Sequence, residues 1–359
     1  MTSPPHNDEL PLSNFSVGHS TRGAKWARRS KTVPGLFIAF GLTWVLLPVL
    51  LVLTCTRDLL RDRTFATTRL ICFGAWWLSM EFLGVMFAFV LWMRFAPAHR
   101  LTLIASRRAH SRLQRFWARG LATGAKFTIG LRWSITGTDQ LRRDGPVIVL
   151  ARHGSQGDAL LTAALLAGEG RRLRFILKRQ LLLDPCLDIV GHRIPNYFVN
   201  RDSLDNKSEL ANISRLSSDL DSDEALVIFP EGTRFSPGKL TRAVSALTET
   251  APQRVNAAQE LHSVLPIRTA GTLAALSTSD ADLVFCNHVG VADIASMQQL
   301  RDQVPIQNPL TFKIERISRT NVPTLLEEKK LIEWLDSHWA KVDTWVTEHQ
   351  TAISPQSRN

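Results

Sequence analysis

The stretch Pro146-Val-Ile-Val-Leu-Ala-Arg-His-Gly-Ser-Gln-Gly-Asp158 runs from an apolar strand straight into a polar turn. A second stretch repeats the design: Ala225-Leu-Val-Ile-Phe-Pro-Glu-Gly-Thr-Arg234. Open α/β sheets place their chemistry at the carboxyl ends of strands, where such polar runs begin. Working outward, further strands are expected at Leu131–Thr136, Leu173–Leu177, Val264–Ile267 and Leu283–Asn287. Helices are expected at Asp158–Ala167, Leu204–Leu220, Ala270–Leu276 and Thr324–Thr347. Strands alternating with helices predict an α/β fold with a mostly parallel sheet flanked by helices. The last helix carries Leu331, Leu335, Val342 and Trp345 at helical spacing, which reads as a core contact.

His153 and Asp158 form an apparent general-base pair. Histidine is the usual base near neutral pH, and a carboxylate on its second ring nitrogen stabilises the imidazolium. A spacing of five would set the two about 140° apart on a helix, so the pair needs a turn. Gly154 and Gly157 permit one. Asp158 also stands where it could simply cap the following helix. In the second run, Gly232 lets the backbone approach a ligand, and Arg234 can grip a phosphate through two parallel hydrogen bonds. Glu231 can accept hydrogen bonds from a polyol, or pair with Arg234 at a surface corner.

The chain has 359 residues, 45% of them hydrophobic, ample for a core. Its net charge of +11 calls for an anionic partner. From Arg94 to Arg143 there are eleven Lys/Arg and one acid, Asp139. This basic stretch directly follows an apolar one, which favours a membrane surface over nucleic acid. Cys55, Cys72, Cys186 and Cys286 show neither metal-ligand spacing nor a disulfide framework, consistent with a reducing cytoplasmic setting.

Val33–Cys55 and Leu70–Met93 are nearly all apolar. The first would rise roughly 35 Å as a helix, enough for a hydrocarbon core of about 30 Å. Arg22, Lys25, Arg28, Arg29 and Lys31 precede it, so both flanks of the hairpin are basic and are expected on the cytoplasmic side. Arg57, Arg61, Arg63 and Arg69 in the connecting loop keep open a monotopic hairpin that dips in and returns. Glu81, inside the second segment, is expected to hydrogen-bond a neighbouring helix, for example at Thr43. Ala105–Leu121 reads as an amphipathic helix with Arg108, Arg112, Arg115 and Arg119 on one face. It either lies at the interface or packs on the domain. The expected organisation is a disordered basic tail over 1–32 and a membrane hairpin over 33–95. A basic amphipathic segment then covers 96–130, and a catalytic domain covers 131–350.

These motifs resemble the glycerolipid acyltransferases of the 1-acylglycerol-3-phosphate acyltransferase family, over roughly Leu131 to Leu276. His153, Ser155 and Asp158 match its first block. Gly191, Phe198, Val199 and Arg201 fit the second, and Phe229 to Arg234 match the third in full. Val264 to Ile267 fit the fourth, and Lys178 also agrees. Gly154 departs from the usual Asn, Gln or Arg. Pro266-Ile-Arg-Thr-Ala-Gly-Thr272 resembles the longer-chain branch with the lysocardiolipin-type members.

The resemblance implies that His153 removes the proton from an sn-2 hydroxyl, with Asp158 orienting it. The hydroxyl then attacks the thioester of acyl-CoA or acyl-carrier protein. Ser155, Lys178, Arg201, Glu231, Gly232, Thr233 and Arg234 would contact the glycerol-phosphate substrate, and Pro266 would lie near the acyl donor. No cofactor beyond the co-substrate and no metal is implied. The expected partners are membrane lipids, lysophosphatidate or a related lysolipid, and the acyl donor, with no nucleic acid. The expected location is a bacterial inner membrane or endoplasmic reticulum, with the domain on the cytoplasmic face. Other readings are acyl transfer to a different lysophospholipid, a histidine phosphatase built on Arg152-His153-Gly154, and a non-enzymatic membrane-lipid adaptor.

Overall fold

The computed structural model describes residues 21–61, 64–155, 157–199, 206–290 and 297–353. Seven strands form one sheet: β1 (Trp133–Thr136), β2 (Val147–Ala151), β3 (Arg172–Lys178), β4 (Tyr197–Val199), β5 (Glu224–Ile228), β6 (Asp282–Val289) and β7 (Leu310–Ile317). Their spatial order is β1-β7-β6-β2-β5-β3-β4. Every neighbouring pair is parallel except β6 and β7. The expected mostly parallel sheet flanked by helices is therefore present.

β2 and β5 are buried at every position, as central parallel strands covered on both faces should be. One apolar cluster, with Val147, Val149, Ala163 and Leu166, fills the space on one side of the sheet. The other, with Ile148, Leu150, Leu331, Leu335 and Trp339, includes the stripe of the C-terminal helix Glu328–Ile353.

Val264–Ile267, expected as a strand, is an irregular segment outside the sheet. Its backbone has no ladder to join because carboxylates take its donors. Val264 N–H goes to Asp343 at 3.0 Å, and Leu265 N–H goes to Glu231 at 2.9 Å. β7 went unanticipated because Lys313, Glu315 and Arg316 interrupt its apolar run. Only the period-two burial of Leu310, Phe312 and Ile314 marks it. The helix Pro237–Thr250 was also not expected; Leu240, Ala243, Val244 and Leu247 recur at helical spacing, although none of its residues is fully buried.

Three helices precede the sheet: α1 (Arg22–Arg61), α2 (Ala66–Phe95) and α3 (Ile104–Thr128). Helix thus replaces the expected disorder over residues 22–32; residues 1–20 lie outside the described residues. Arg28 and Arg29 both grip the buried Asp188 of the domain, at 2.7 and 3.0 Å. α1 packs on α2 through Phe40 and Phe82, stacked with ring centroids 4.2 Å apart. Both α1 and α2 are long and apolar enough to cross a membrane.

α2 lies antiparallel along the whole of α3. Near its start, Arg69 donates to Thr128 O at 2.9 Å, and Ala66 joins the main core beside Ile129 and Leu131. In the middle, Trp76 donates to Gly120 O at 2.8 Å. Its ring fills the space where a Cβ on Gly124 would stand. Toward its end, the Phe87 ring meets Phe116 of α3 with centroids 5.4 Å apart, and Leu91 and Phe95 line one cavity with Ala105 and Ala109. The tip of the hairpin therefore rests on the domain rather than reaching away from it.

Glu81 is buried and accepts the Trp117 indole N–H at 2.9 Å, so its partner is on α3, not at Thr43. α3 is longer than the expected Ala105–Leu121 and is wedged between α2 and the helix Asp158–Gly168, with Leu113 and Leu121 buried. Arg108, Arg112 and Arg119 point outward, while Arg115 donates to Gly168 O at 3.3 Å.

Candidate active site

β2 and β5 are parallel neighbours with Leu150 opposite Ile228, so both polar runs leave the sheet at the same edge. The second folds over the first. Phe229 sits 5.1 Å from the His153 ring, and Phe235 N–H donates to His153 O at 3.0 Å.

The turn between His153 and Asp158 brings the pair together as the chemistry requires. His153 Nδ1 is 3.2 Å from Asp158 Oδ2. The Ser155 N–H donates to the same oxygen at 2.7 Å, and the Ser155 hydroxyl donates to Oδ1. Asp158 thus begins its helix and orients the histidine at once. Burial opposes its charge, but the facing His288 and the hydrogen bonds from His153, His288 and Ser155 outweigh that. Its carboxyl is held well below the usual carboxylate range. His153 stays partly open to solvent, and no described residue engages its Nε2.

Arg152 points away from this opening. It is fully buried, donating to His288 O at 2.7 Å and Ser263 O at 3.2 Å. A phosphatase built on Arg152-His153-Gly154 would need that guanidinium on a phosphate, and here it serves the interior. The same arginine explains Gly154. A Cβ there would lie 2.7 Å from Arg152 Nη1, so the bulkier residues common in similar motifs do not fit.

Glu231 does not face the opening either. Its Oε1 accepts the His153 N–H at 2.6 Å and its Oε2 the Leu265 N–H at 2.9 Å. It is a clasp joining three segments, not a free polyol acceptor. Burial pushes its carboxyl up to about 8, despite the two N–H donors and nearby Arg152. Gly232 has φ +71°, a conformation that favours glycine, and a Cβ would lie 2.9 Å from Arg268 Nε. Thr233 Oγ1 and Arg234 O both accept from Lys239 Nζ, at 3.2 and 2.9 Å, which ties the turn to the next helix.

Arg234 is half-buried, and its guanidinium makes no hydrogen bond or ion pair with the described residues. Lys178 ends β3, beside β5 at the same sheet edge. Pro266 lies in the strap held by Glu231 and Asp343. Arg201 lies outside the described residues.

Three residues at this edge were not anticipated as parts of the site. His288, near the end of β6, stands with Nε2 3.1 Å from Asp158 Oδ1. Arg268 covers Gly232. Asp343 accepts the N–H groups of His262, Ser263 and Val264. His288 and Asp343 come from remote parts of the chain without a local motif to announce them, whereas Arg268 lies in the Pro266–Thr272 stretch, whose residues gave no sign of this contact.

The profile of the family described as Acyltransferase matches residues 132–267, which span both polar runs and the strap. The chain carries an acyltransferase-family domain. A similar curated protein is 1-acyl-sn-glycerol-3-phosphate acyltransferase epsilon of Mus musculus. It is 28% identical over 227 residues, covering 59% of this chain and 60% of that relative's length. Among solved structures, the 1-acyl-sn-glycerophosphate acyltransferase PlsC of Thermotoga maritima is similar at a TM-score of 0.43 and 16% identity. That likeness covers 74% of this chain and 94% of the other. The acyltransferase domain thus contains His153, Asp158, Glu231, Gly232, Arg234 and Pro266, whereas His288 and Asp343 lie beyond the matched residues.

Proposed function

We propose that this chain is a membrane-bound acyltransferase that moves a fatty acyl group from acyl-CoA or acyl-carrier protein to the sn-2 hydroxyl of lysophosphatidate, giving phosphatidate. The observation that carries the reading is the His153–Asp158 contact, at a strand edge roofed by Phe229 to Arg234, inside an acyltransferase-family domain.

His153 Nε2 takes the hydroxyl proton as the oxygen attacks the thioester carbonyl. Asp158 stays ionised and stabilises the imidazolium. The C–S bond breaks as the tetrahedral intermediate collapses, and the imidazolium returns its proton to the leaving thiolate. The adaptor reading explains the basic surface but gives no role to a buried carboxylate aimed at a half-open histidine.

Arg234 is assigned to the acceptor's phosphate, with Arg201 as its expected companion. An arginine contact with a charged group is worth about 1.5–3 kcal/mol. Arg234→Ala is therefore expected to raise KM for lysophosphatidate by roughly 10- to 150-fold while leaving KM for the acyl donor nearly unchanged. Steady-state kinetics with each substrate varied in turn checks this. A rise confined to the donor's KM would move Arg234 to the donor side.

The hairpin supplies the anchor. Ile38, Leu42, Val45, Val49 and Val52 recur at helical spacing on α1, each more than half exposed. Such a stripe calls for lipid. With the tip against the domain, the hairpin lies in one leaflet on the cytoplasmic face rather than crossing. A cysteine placed at Thr64, with Cys55 and Cys72 replaced, should stay unlabelled by a membrane-impermeant thiol reagent in intact cells and react after lysis. Labelling from outside would restore two full crossings.

A further inference from the structure

We infer that His288 is a positioning residue for the catalytic pair: it holds the second oxygen of Asp158 and so sets how strongly that carboxylate acts on His153. The inference rests on the acyl-transfer reading and deepens it.

Asp158 sits between two imidazoles. His153 Nδ1 faces Oδ2 at 3.2 Å and His288 Nε2 faces Oδ1 at 3.1 Å. The two histidines arrive on adjacent parallel strands, since β2 pairs with β6 and Ala151 stands opposite Cys286. His288 is fully buried, so it cannot reach substrate and can act only through Asp158. Its backbone is held from the other side, because Arg152 Nη1 donates to His288 O. The Phe312 ring of β7, 5.5 Å away and opposite it in register, closes the remaining side. Among the described residues, neither ring nitrogen of His288 makes a hydrogen bond of good geometry. The Asp158 carboxylate, 3.1 Å from Nε2, is therefore the charged group that the buried ring faces, and the contact is electrostatic.

The charged and titratable groups around this pair come from every neighbouring element. Asp158 opens the helix Asp158–Gly168, and Arg152 and His153 follow β2. Glu231 follows β5, and the buried Cys286 thiol lies on β6. A carboxylate divides its charge among its partners. With the His288 contact present, less of the Asp158 charge falls on His153. With it gone, His153 carries more of that charge, and its imidazolium becomes easier to form. The orientation of the carboxylate also loosens, and a misplaced base lowers turnover without weakening substrate binding.

The test compares His288→Ala with His288→Gln in the full-length protein. The glutamine amide keeps a polar N–H near the place of Nε2. His288→Ala is expected to lower kcat by about 10- to 100-fold with KM for both substrates unchanged. It should also move the acid limb of the kcat/KM profile to higher pH. His288→Gln should return both most of the way.

A second measurement does not need turnover. Diethyl pyrocarbonate reacts with neutral imidazole, so its rate at His153 against pH, followed by peptide mass spectrometry, reads the protonation midpoint of that residue. The midpoint should rise in His288→Ala and fall back in His288→Gln. A midpoint in His288→Ala that coincides with wild type would overturn the inference. So would equal displacements in both variants, which would reduce His288 to packing. Should the wild-type chain fail to transfer acyl groups, the function proposed above falls, and this titration still decides the His288 contact.

Discussion

His153→Ala is expected to lower acyl transfer by about 10²- to 10⁴-fold, the usual cost of losing a positioned general base. The fold should survive. The His153 side chain is partly exposed and contributes one contact to Asp158, while the backbone bonds to Glu231 and Phe235 remain. The loss should therefore fall on kcat, with the variant binding membranes and melting as wild type does. Activity assays on vesicle-bound protein, normalised to the bound amount, check it. Near-wild-type turnover would leave the His153 assignment without support.

Asp158→Asn is expected to cost a similar factor, about 10²- to 10⁴-fold, by a different route. The amide removes the negative charge that stabilises the imidazolium, and its NH₂ must face one of the donors from Ser155, His153 or His288. It should also change stability, and the sign follows from the depressed carboxyl. Asp158 ionises more readily in the folded chain than in the unfolded one. Its contribution is present above the unfolded value of about 3.9 and is lost as pH falls toward the folded one. Asp158→Asn should therefore melt lower than wild type near neutral pH, with the gap closing in acid. Thermal melts from pH 3 to 8 read this directly. A constant gap across that range would mean that the carboxylate's charge contributes nothing to the fold.

The two polar runs were legible in sequence because each is local. A turn and a few fixed side chains fall within six residues close behind a strand, and the strand direction puts both at one edge. The central strands were legible for a related reason. Burial on both faces leaves a continuous apolar run that survives translation into sequence. β7 carries charges on its outer face and leaves no such run, whereas Pro237–Thr250 does carry a helical stripe in Leu240, Ala243, Val244 and Leu247 that could have announced it.

The roles inside the site were less legible than its location. Glu231 reads as a ligand for a polyol until the fold brings the N–H groups of His153 and Leu265 to its two oxygens. Arg152 reads as an anion-binding residue until its guanidinium is found on the carbonyls of His288 and Ser263. Both depend on partners more than thirty residues away, which no spacing rule reaches.

The hairpin divides the same way. Its two apolar segments follow from composition, whereas its posture is fixed by α3, through contacts such as Arg69 to Thr128 and Trp76 to Gly120. Hydropathy measures whether a helix tolerates lipid and says nothing of what lies along its other face.

The most direct test of the account is product analysis with the purified full-length chain in lipid vesicles. The vesicles receive lysophosphatidate and acyl-CoA labelled in the acyl chain, beside a panel of other lysolipids. The account predicts label at the sn-2 position of phosphatidate, one free thiol released for each acyl group transferred, and neither product from His153→Ala. Thiol release without a labelled phospholipid, phosphate release from lysophosphatidate, or unchanged transfer by His153→Ala would contradict it.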